Sequence, residues 1–363
     1  MILFILRRVA MMLLTALCLT FIVFWLTNLP PNLEKLAKSA GNVRMGDEQV
    51  ASWLEARGHL APLPVKYGRW LGVLPAHVGQ DAAGRPVGRC LSLREARQAE
   101  AGDDAPDTEA EGATAARYCG ILQGDWGRST VFRQDVTEII ATRLALTGKL
   151  MGWVLVLMVP SALLIGVLAG IREGSRSDRA LSTVSIVTTA TPEYVSGVIL
   201  IAVFASSAGG LKWLKGTASS AMENATFENF FLPVLTISLF GMGYIARMTR
   251  ASMAEVMTAQ YIRTARLKGL GFGRIVLVHA LRNALIAPFT VIMLQIPWLL
   301  NGVVIVETLF SYKGFGWTLV EAAGNNDIDL LLGVSVVSVV VVLATQLISD
   351  IGYAWLNPRI AVS

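Results

Sequence analysis

The residues able to do chemistry in this 363-residue chain are few and poorly spaced for catalysis. Three histidines and three cysteines are scattered along it, so no zinc-ligand spacing arises. No GxxxxGK[ST] phosphate loop occurs, and HExxH and GxSxG are also absent. Gly269, Gly271 and Gly273 follow a basic helical stretch rather than a strand, which argues against a dinucleotide loop. The expectation is a chain that is not an enzyme, with no catalytic residue, no metal site and no cofactor of its own. Its most distinctive feature is a concentration of positive charge at 247–282. There Arg247, Arg250, Arg263, Arg266, Lys268, Arg274 and Arg282 face a single acid, Glu255. Within it, 259–268 has good helix formers and no proline, and Gly269 is a natural stop. Gly271 and Gly273 permit a tight turn before a second helical start at Arg274. Small side chains at Thr264 and Ala265 allow close approach to a partner groove, and flanking arginines could pair with an acidic rim. The same pattern also fits a basic helix lying on anionic headgroups. Residue types alone do not choose between the two.

The elements that carry this stretch are set by composition. Hydrophobic residues make up 54% of the chain and charged ones 16%, with mean hydropathy +0.56. Average soluble domains carry roughly a quarter charged residues, so lipid must solvate the excess. A helix needs about 20 apolar residues to cross the hydrocarbon. Six segments qualify: 9–27, 146–169, 184–205, 230–246, 284–306 and 330–355. They are too long for strands, and lipid excludes open sheet edges, so the fold class is an all-α integral membrane protein. The formal charge of +5 and pI near 9.2 reflect basic residues bordering these spans rather than a nucleic-acid face. Arg7 and Arg8, then Arg172, Arg176 and Arg179, then the 247–282 loop, and finally Arg359 occupy alternate connections. These therefore share one side, and both termini are cytoplasmic. The first span reads as an uncleaved signal anchor, because no small-x-small site follows it. Three domains result: the N-terminal helix 1–27, a periplasmic segment 28–137 with an insertion, and a five-helix core 138–363 holding the cytoplasmic loop 247–282.

The segment between helices 1 and 2 is a different material, with 13 Lys/Arg and 14 Asp/Glu by count. Helical pieces are expected at 48–57 and 91–99. Residues 98–116 are acidic and lack aromatics, the composition of a flexible loop. Cys90 and Cys119 bracket it on the oxidising side, either as a disulfide or as two free thiols. Cys18 falls within the first span. Polar groups inside spans are costly. Glu193, Gln295 and Asn301, with Lys149 near the start of the second span, either line a polar conduit, pair between helices or sit nearer the interface than these boundaries imply. Pro192, Pro288 and Pro297 are candidate bend points. Glu307, at the outer end of the fifth span, reads as an anchor or gate element.

The basic loop resembles that of ATP-binding-cassette importer permeases, whose pattern is Glu-Ala-Ala, three residues, Gly, nine residues, Ile-x-Leu-Pro. Arg263-Thr264-Ala265, Gly269 and His279-Ala280-Leu281-Arg282 occupy those places, and only Ala265, Gly269 and Leu281 match it. The departures are similar to the dipeptide/oligopeptide (nickel/peptide) permease family, of the oligopeptide permease B type, whose loop reads YxRTAxxKG…HALRNAL. Tyr261, Arg263, Thr264, Ala265, Lys268, Gly269 and His279 to Leu285 fit that form. Gly124 to Ser129 resembles its GDxGRS, and Val306 to Tyr312 its VETxFSY. Lys313 stands where that family usually has proline. Residues 73–118 look like an insertion between its YxxWLG segment (Tyr67 to Gly72) and GDxGRS. The resemblance implies half of a peptide or small-solute pathway in the bacterial inner (cytoplasmic) membrane, working by alternating access. It implies a second, homologous permease subunit, two cytosolic ATPases that hold ATP and Mg, and a periplasmic solute-binding protein. Tyr261, Arg263, Thr264, Ala265, Lys268 and Gly269 would then be the ATPase-coupling residues, and Glu193, Gln295 and Asn301 the pathway candidates. Dipeptides, longer peptides, nickel chelates and glutathione remain open as substrates. A secondary, ion-coupled transporter is the alternative, although no internal repeat supports it. A membrane receptor or scaffold is the third reading.

Overall fold

A computed structural model describes residues 2–42, 44–80, 84, 86–90, 118–206 and 213–356. The expected flexible loop at 98–116 and the helical piece at 91–99 lie outside these residues. The elements in chain order are α1 (Ile2–Thr27), α2 (Pro30–Ala40), α3 (Asp47–Ala56), α4 (Leu63–Leu71), β1 (Gly79–Gln80) and β2 (Pro86–Val87). After them come α5 (Val136–Gly170), α6 (Arg176–Ala190), α7 (Glu193–Phe204), α8 (Phe227–Thr258) and α9 (Gln260–Leu267). The last are α10 (Phe272–Ala284), α11 (Ile286–Leu309), α12 (Phe315–Gly324) and α13 (Ile328–Leu356). The two short strands pair antiparallel, with Gly79 opposite Val87.

Four helices, α1, α5, α8 and α13, are each long and apolar enough to cross a bilayer unbroken. Two bent pairs, α6 with α7 and α10 with α11, raise the total to six if each pair is one span. The third expected span, 184–205, is therefore not one rod: α6 and α7 meet at 109°. Pro192 is the cause. It cannot extend the preceding helix, and its fixed φ makes it the residue immediately before the new helix. Glu193 thus stands in the first turn of α7 rather than in mid-span. The fourth expected span continues twelve residues past 246 to Thr258, so Arg247 and Arg250 are helical rather than loop residues. The second helical start falls at Phe272, before Arg274, and the stretch Ile275–Ala280 widens into π-type turns.

The chain forms two compact units. The first comprises 1–8, 143–318 and 341–363. Leu150, Val154 and Met158 of α5 pack there with Leu232, Ile237 and Ile245 of α8 and with Leu299 and Val303 of α11. Gly166 and Gly170 let α5 approach α8 closely, since a Cβ at either would strike the carbonyl oxygens of Ala246 and Arg250. This is small-residue packing, which substitutes for a hydrophobic drive where lipid is as apolar as the side chains. The second unit comprises 9–142 and 319–340. Its core joins Phe24 to Tyr67 and Trp70, with ring centroids 5.3 Å apart in both pairs, and adds Leu54, Ile328 and Leu332. The Tyr67 hydroxyl lies 2.8 Å from Thr20 Oγ1. Gly72, at φ 86, ends α4. Cys90 and Cys119 form a disulfide in this unit, with Cα atoms 5.8 Å apart. Among the described residues Cys18 is an exposed, free thiol on α1.

Prolines inside spans free a carbonyl four residues earlier, and in hydrocarbon no water can satisfy it. Pro288 frees Ala284 C=O at the 48° bend between α10 and α11, and Ser252 Oγ donates to that oxygen at 2.8 Å. Pro297 frees Met293 C=O, and Ser349 Oγ donates to it at 2.6 Å. Each break in α11 is thus repaired by a hydroxyl from a neighbouring helix, α8 in one case and α13 in the other. Replacing either serine with alanine leaves a carbonyl without its partner. Ser252→Ala and Ser349→Ala are each expected to lower stability by about 1 kcal/mol, read as earlier thermal loss of the monodisperse peak in detergent. Unchanged melting in both would show that the carbonyls do not need these hydroxyls.

Candidate functional site

The expected basic helix is α9, which ends as the sequence predicts at Gly269, whose φ is 74. Gly269 N–H donates to Arg266 O at 3.0 Å and Leu270 N–H to Ala265 O at 3.3 Å. These two bonds are the Schellman closure of a helix C-terminus, which needs a left-handed residue between them. A Cβ on Gly269 would meet nothing within 4 Å, so its backbone angle, not crowding, is what calls for glycine.

The helix has two faces. Ile262 is fully buried and Ala265 is 6% exposed, packed with Met253 and Met257 of α8 and with Ile275 and Val276 of α10. Ala265 therefore serves the helix's own seat. Its small side chain lets α9 approach α8 and α10, and the sequence-based expectation that it would admit a partner is redirected inward. Tyr261, half-exposed, accepts a hydrogen bond from Asn283 Nδ2 at 3.1 Å, tying α9 to the end of α10. Arg263, Thr264, Arg266, Leu267, Lys268 and Gly269 all face outward. Leu267 is 81% exposed, an apolar group flanked by Arg266 and Lys268. The outer face of this seated helix thus joins one large apolar side chain to several cations.

Close to this helix is a pair the sequence reading did not single out. Arg250 donates from Nε and Nη2 to the two oxygens of Asp178, at 2.7 and 2.8 Å. Glu173 adds a longer contact at 3.6 Å. Asp178 also accepts from Gly174 N–H at 2.8 Å and Ser182 Oγ at 3.0 Å, while its own N–H donates to Ser175 Oγ, the N-cap of α6. The result fastens the α5–α6 turn and the start of α6 to the end of α8. An acid three residues after a capping serine was the available signal, but its partner is 72 residues away.

Glu307 is fully buried. Its carboxylate accepts from the hydroxyl of Thr147 and, at 2.9 Å, from Trp317 N–H. Thr147 Oγ1 in turn accepts Phe315 N–H at 2.7 Å. Glu307 is thus an anchor that caps the free N–H groups of α12 and joins α5 to α11. Tyr312 OH donates to Leu146 O at 3.0 Å, and Arg143 Nη1 to Lys313 O at 2.8 Å. Ser311, at φ 53, makes the turn, and Lys313 at the position of the absent proline places its ammonium 5.4 Å from the Trp317 ring centroid. In the second unit Ser129 Oγ donates to buried Asp327 at 2.5 Å, so GDxGRS is likewise a structural lock.

Among the pathway candidates, Glu193 is 9% exposed and Gln295 is 8% exposed. Glu193 Oε1 and Gln295 Nε2 have no hydrogen-bond partner among the described residues. Glu193 abuts Gly302, where a Cβ would collide with its carboxylate. Gln295 and Gly302 are seven residues apart on α11 and so share one face. The side chain of Asn301 lies outside the described residues. Lys149 is exposed, with its ammonium 5.9 Å from the Phe230 ring centroid.

Long apolar helices and two bent pairs give this chain four to six candidate membrane spans. Residues 162–362 match the family described as the binding-protein-dependent transport system inner membrane component, and the chain belongs to it. It is 33% identical over 266 residues to the dipeptide transport system permease protein of Haemophilus influenzae, covering 67% of this chain and 79% of that one. It is 34% identical over 247 residues to the oligopeptide transport system permease protein of Bacillus subtilis, covering 66% and 77%. The glutathione transport system permease protein of Salmonella choleraesuis is 31% identical over 240 residues, covering 66% and 76%.

The ion pair offers a direct measurement. Arg250→Ala strands a carboxylate that is only 4% exposed, and the expected loss is about 2–3 kcal/mol, less than for a fully buried pair because the arginine is 30% exposed. Adding Asp178→Asn should restore part of it. A thermal-stability cycle showing no coupling between the two positions would refute the fastening role.

Proposed function

We propose that this chain forms half of the translocation pathway of an ATP-driven importer for peptides or related small solutes, working by alternating access. A second, homologous permease subunit supplies the other half, since six spans enclose too little space for a peptide. Two cytosolic ATPase subunits carry the ATP and Mg, and a periplasmic binding protein delivers the solute. Both termini and α9 face the cytoplasm of a bacterial cell, in keeping with the basic residues at Arg7, Arg8, Arg172 and Arg263.

The observation that carries this reading is the two-faced α9. Ile262 and Ala265 fix it to α8 and α10, and α10 continues into α11. A push on Arg263, Thr264, Leu267 or Lys268 therefore reaches α11 and its Gln295 through packed helices rather than through a slack loop. Closure of the ATPases on ATP would move α9, and the bent pairs give the bundle places to rock, a rigid-body switch. Glu193 and Gln295 would line the pathway, where water or solute polar groups complete their hydrogen bonds. The relatives are named for dipeptides, oligopeptides and glutathione, which keeps the proposal at peptides and peptide-like solutes. No observation favours an ion-coupled carrier.

Co-purification tests the assembly: tagged chain expressed with its neighbouring subunits should retain ATPase subunits in stoichiometric amounts. The coupling role is tested at Gly269. A β-branched residue at φ 74 costs about 1–2 kcal/mol and loosens the helix end. Gly269→Val is expected to leave insertion intact and lower the solute taken up per ATP hydrolysed several-fold. Gly269→Asn, which tolerates that angle, should keep most coupling. Equal coupling in both variants and the wild type would sink the lever assignment.

A further inference from the structure

The second compact unit contains a cavity of about 520 Å³ that no part of the transport reading uses. That volume is within the roughly 300–1,000 Å³ of small-molecule sites. Its walls come from the outer half of α1, from α3 and α4 with their connections, from the segment around Arg89, and from the start of α13. Five basic side chains line it: Arg57, Lys66, Arg69, Arg89 and Arg128. The lining includes one carboxylate, Asp329, which Arg89 meets at 3.4 Å. All five cations are half-buried. Among the described residues no carboxylate pairs with Lys66 or Arg69. Such a charge excess in a concave, partly desolvated space raises the local potential for anions.

The apolar side of the cavity is also organised. The Arg57 guanidinium lies 4.0 Å from the Trp53 ring centroid, and Trp53 stacks on His59 with 2° between planes. His59 and His77 both line the space. Burial first, and then the neighbouring cations, push the His59 imidazole down to about 4, and burial pushes the Lys66 ammonium down. Both shifts show what an anion would relieve.

We propose that this cavity binds an oxyanion, the carboxylate or phosphate of a small molecule, with Lys66 and Arg69 as its principal partners and Trp53, His59 and Trp70 beside its less polar part. The assignment stands on the cavity and not on the transport reading, so failure of either leaves the other untouched.

The test uses the full chain in nanodiscs of phosphatidylcholine, with succinate and inorganic phosphate as probes and uncharged succinamide as the control. Titration calorimetry and thermal shift should show saturable binding of at least one oxyanion and none of succinamide. Lys66→Gln and Arg69→Gln should each weaken it about tenfold or more, while the surface change Lys35→Gln leaves it near wild type. Retained melting of the unliganded variants guards against misfolding. Binding seen only after phosphatidylglycerol is added, and still lost in Lys66→Gln, supports the same chemistry with a lipid headgroup as the source. No saturable binding in either disc, or binding unchanged by both glutamine variants, overturns the proposal. Binding that emerges only when the acidic residues 98–116 are replaced by a neutral linker overturns the assignment to an external ligand.

Discussion

A carbonyl freed by proline inside a bilayer has no water to bond, and this constraint shapes how α8, α10, α11 and α13 meet. Pro192 and Pro288 fall at or near the two bends, and Pro297 lies inside the unbroken α11. Two of the freed oxygens are met by Ser252 and Ser349 from neighbouring helices. The helix can then bend without carrying an orphaned acceptor. Those hydroxyl bonds also tie α10 to α8 and α11 to α13.

Rigidity elsewhere complements these bends. Asp178 and Arg250 fasten the α5–α6 turn to α8, and Glu307 joins α5, α11 and the start of α12 through Thr147 and Trp317. Both carboxylates are nearly or fully buried, and both have their oxygens occupied by donors, the condition under which a buried charge is tolerated. Glu193 differs: one of its oxygens has no donor among the described residues. The contrast separates acids whose oxygens are held by donors from one with an oxygen left open.

Much of the membrane architecture was legible in the sequence because lipid imposes a long, contiguous apolar signature. The segments 9–27, 146–169 and 330–355 lie inside α1, α5 and α13. The helix stop at Gly269 was legible for a similar reason, since a left-handed closure requires glycine locally. Where the reading fell short, the cause was apolar content that continues across a break. Residues 184–205 remain hydrophobic through the α6–α7 corner, and only the backbone shows the 109° turn there. Arg247 and Arg250 looked like loop charges because positive residues mark span ends, yet α8 runs past them to Thr258.

Sequence by itself determined which segments are apolar enough to suit lipid, where α9 ends and which family motifs are present, because each follows from local composition or backbone preference. Tertiary structure alone decided what those motifs touch. Ala265 turns inward to seat α9, Glu307 caps a helix that follows it, and five cations from separate segments converge on one cavity. Pairing across 72 or 160 residues depends on how helices cross, and crossing is set by shape and small-residue contact that no local pattern encodes.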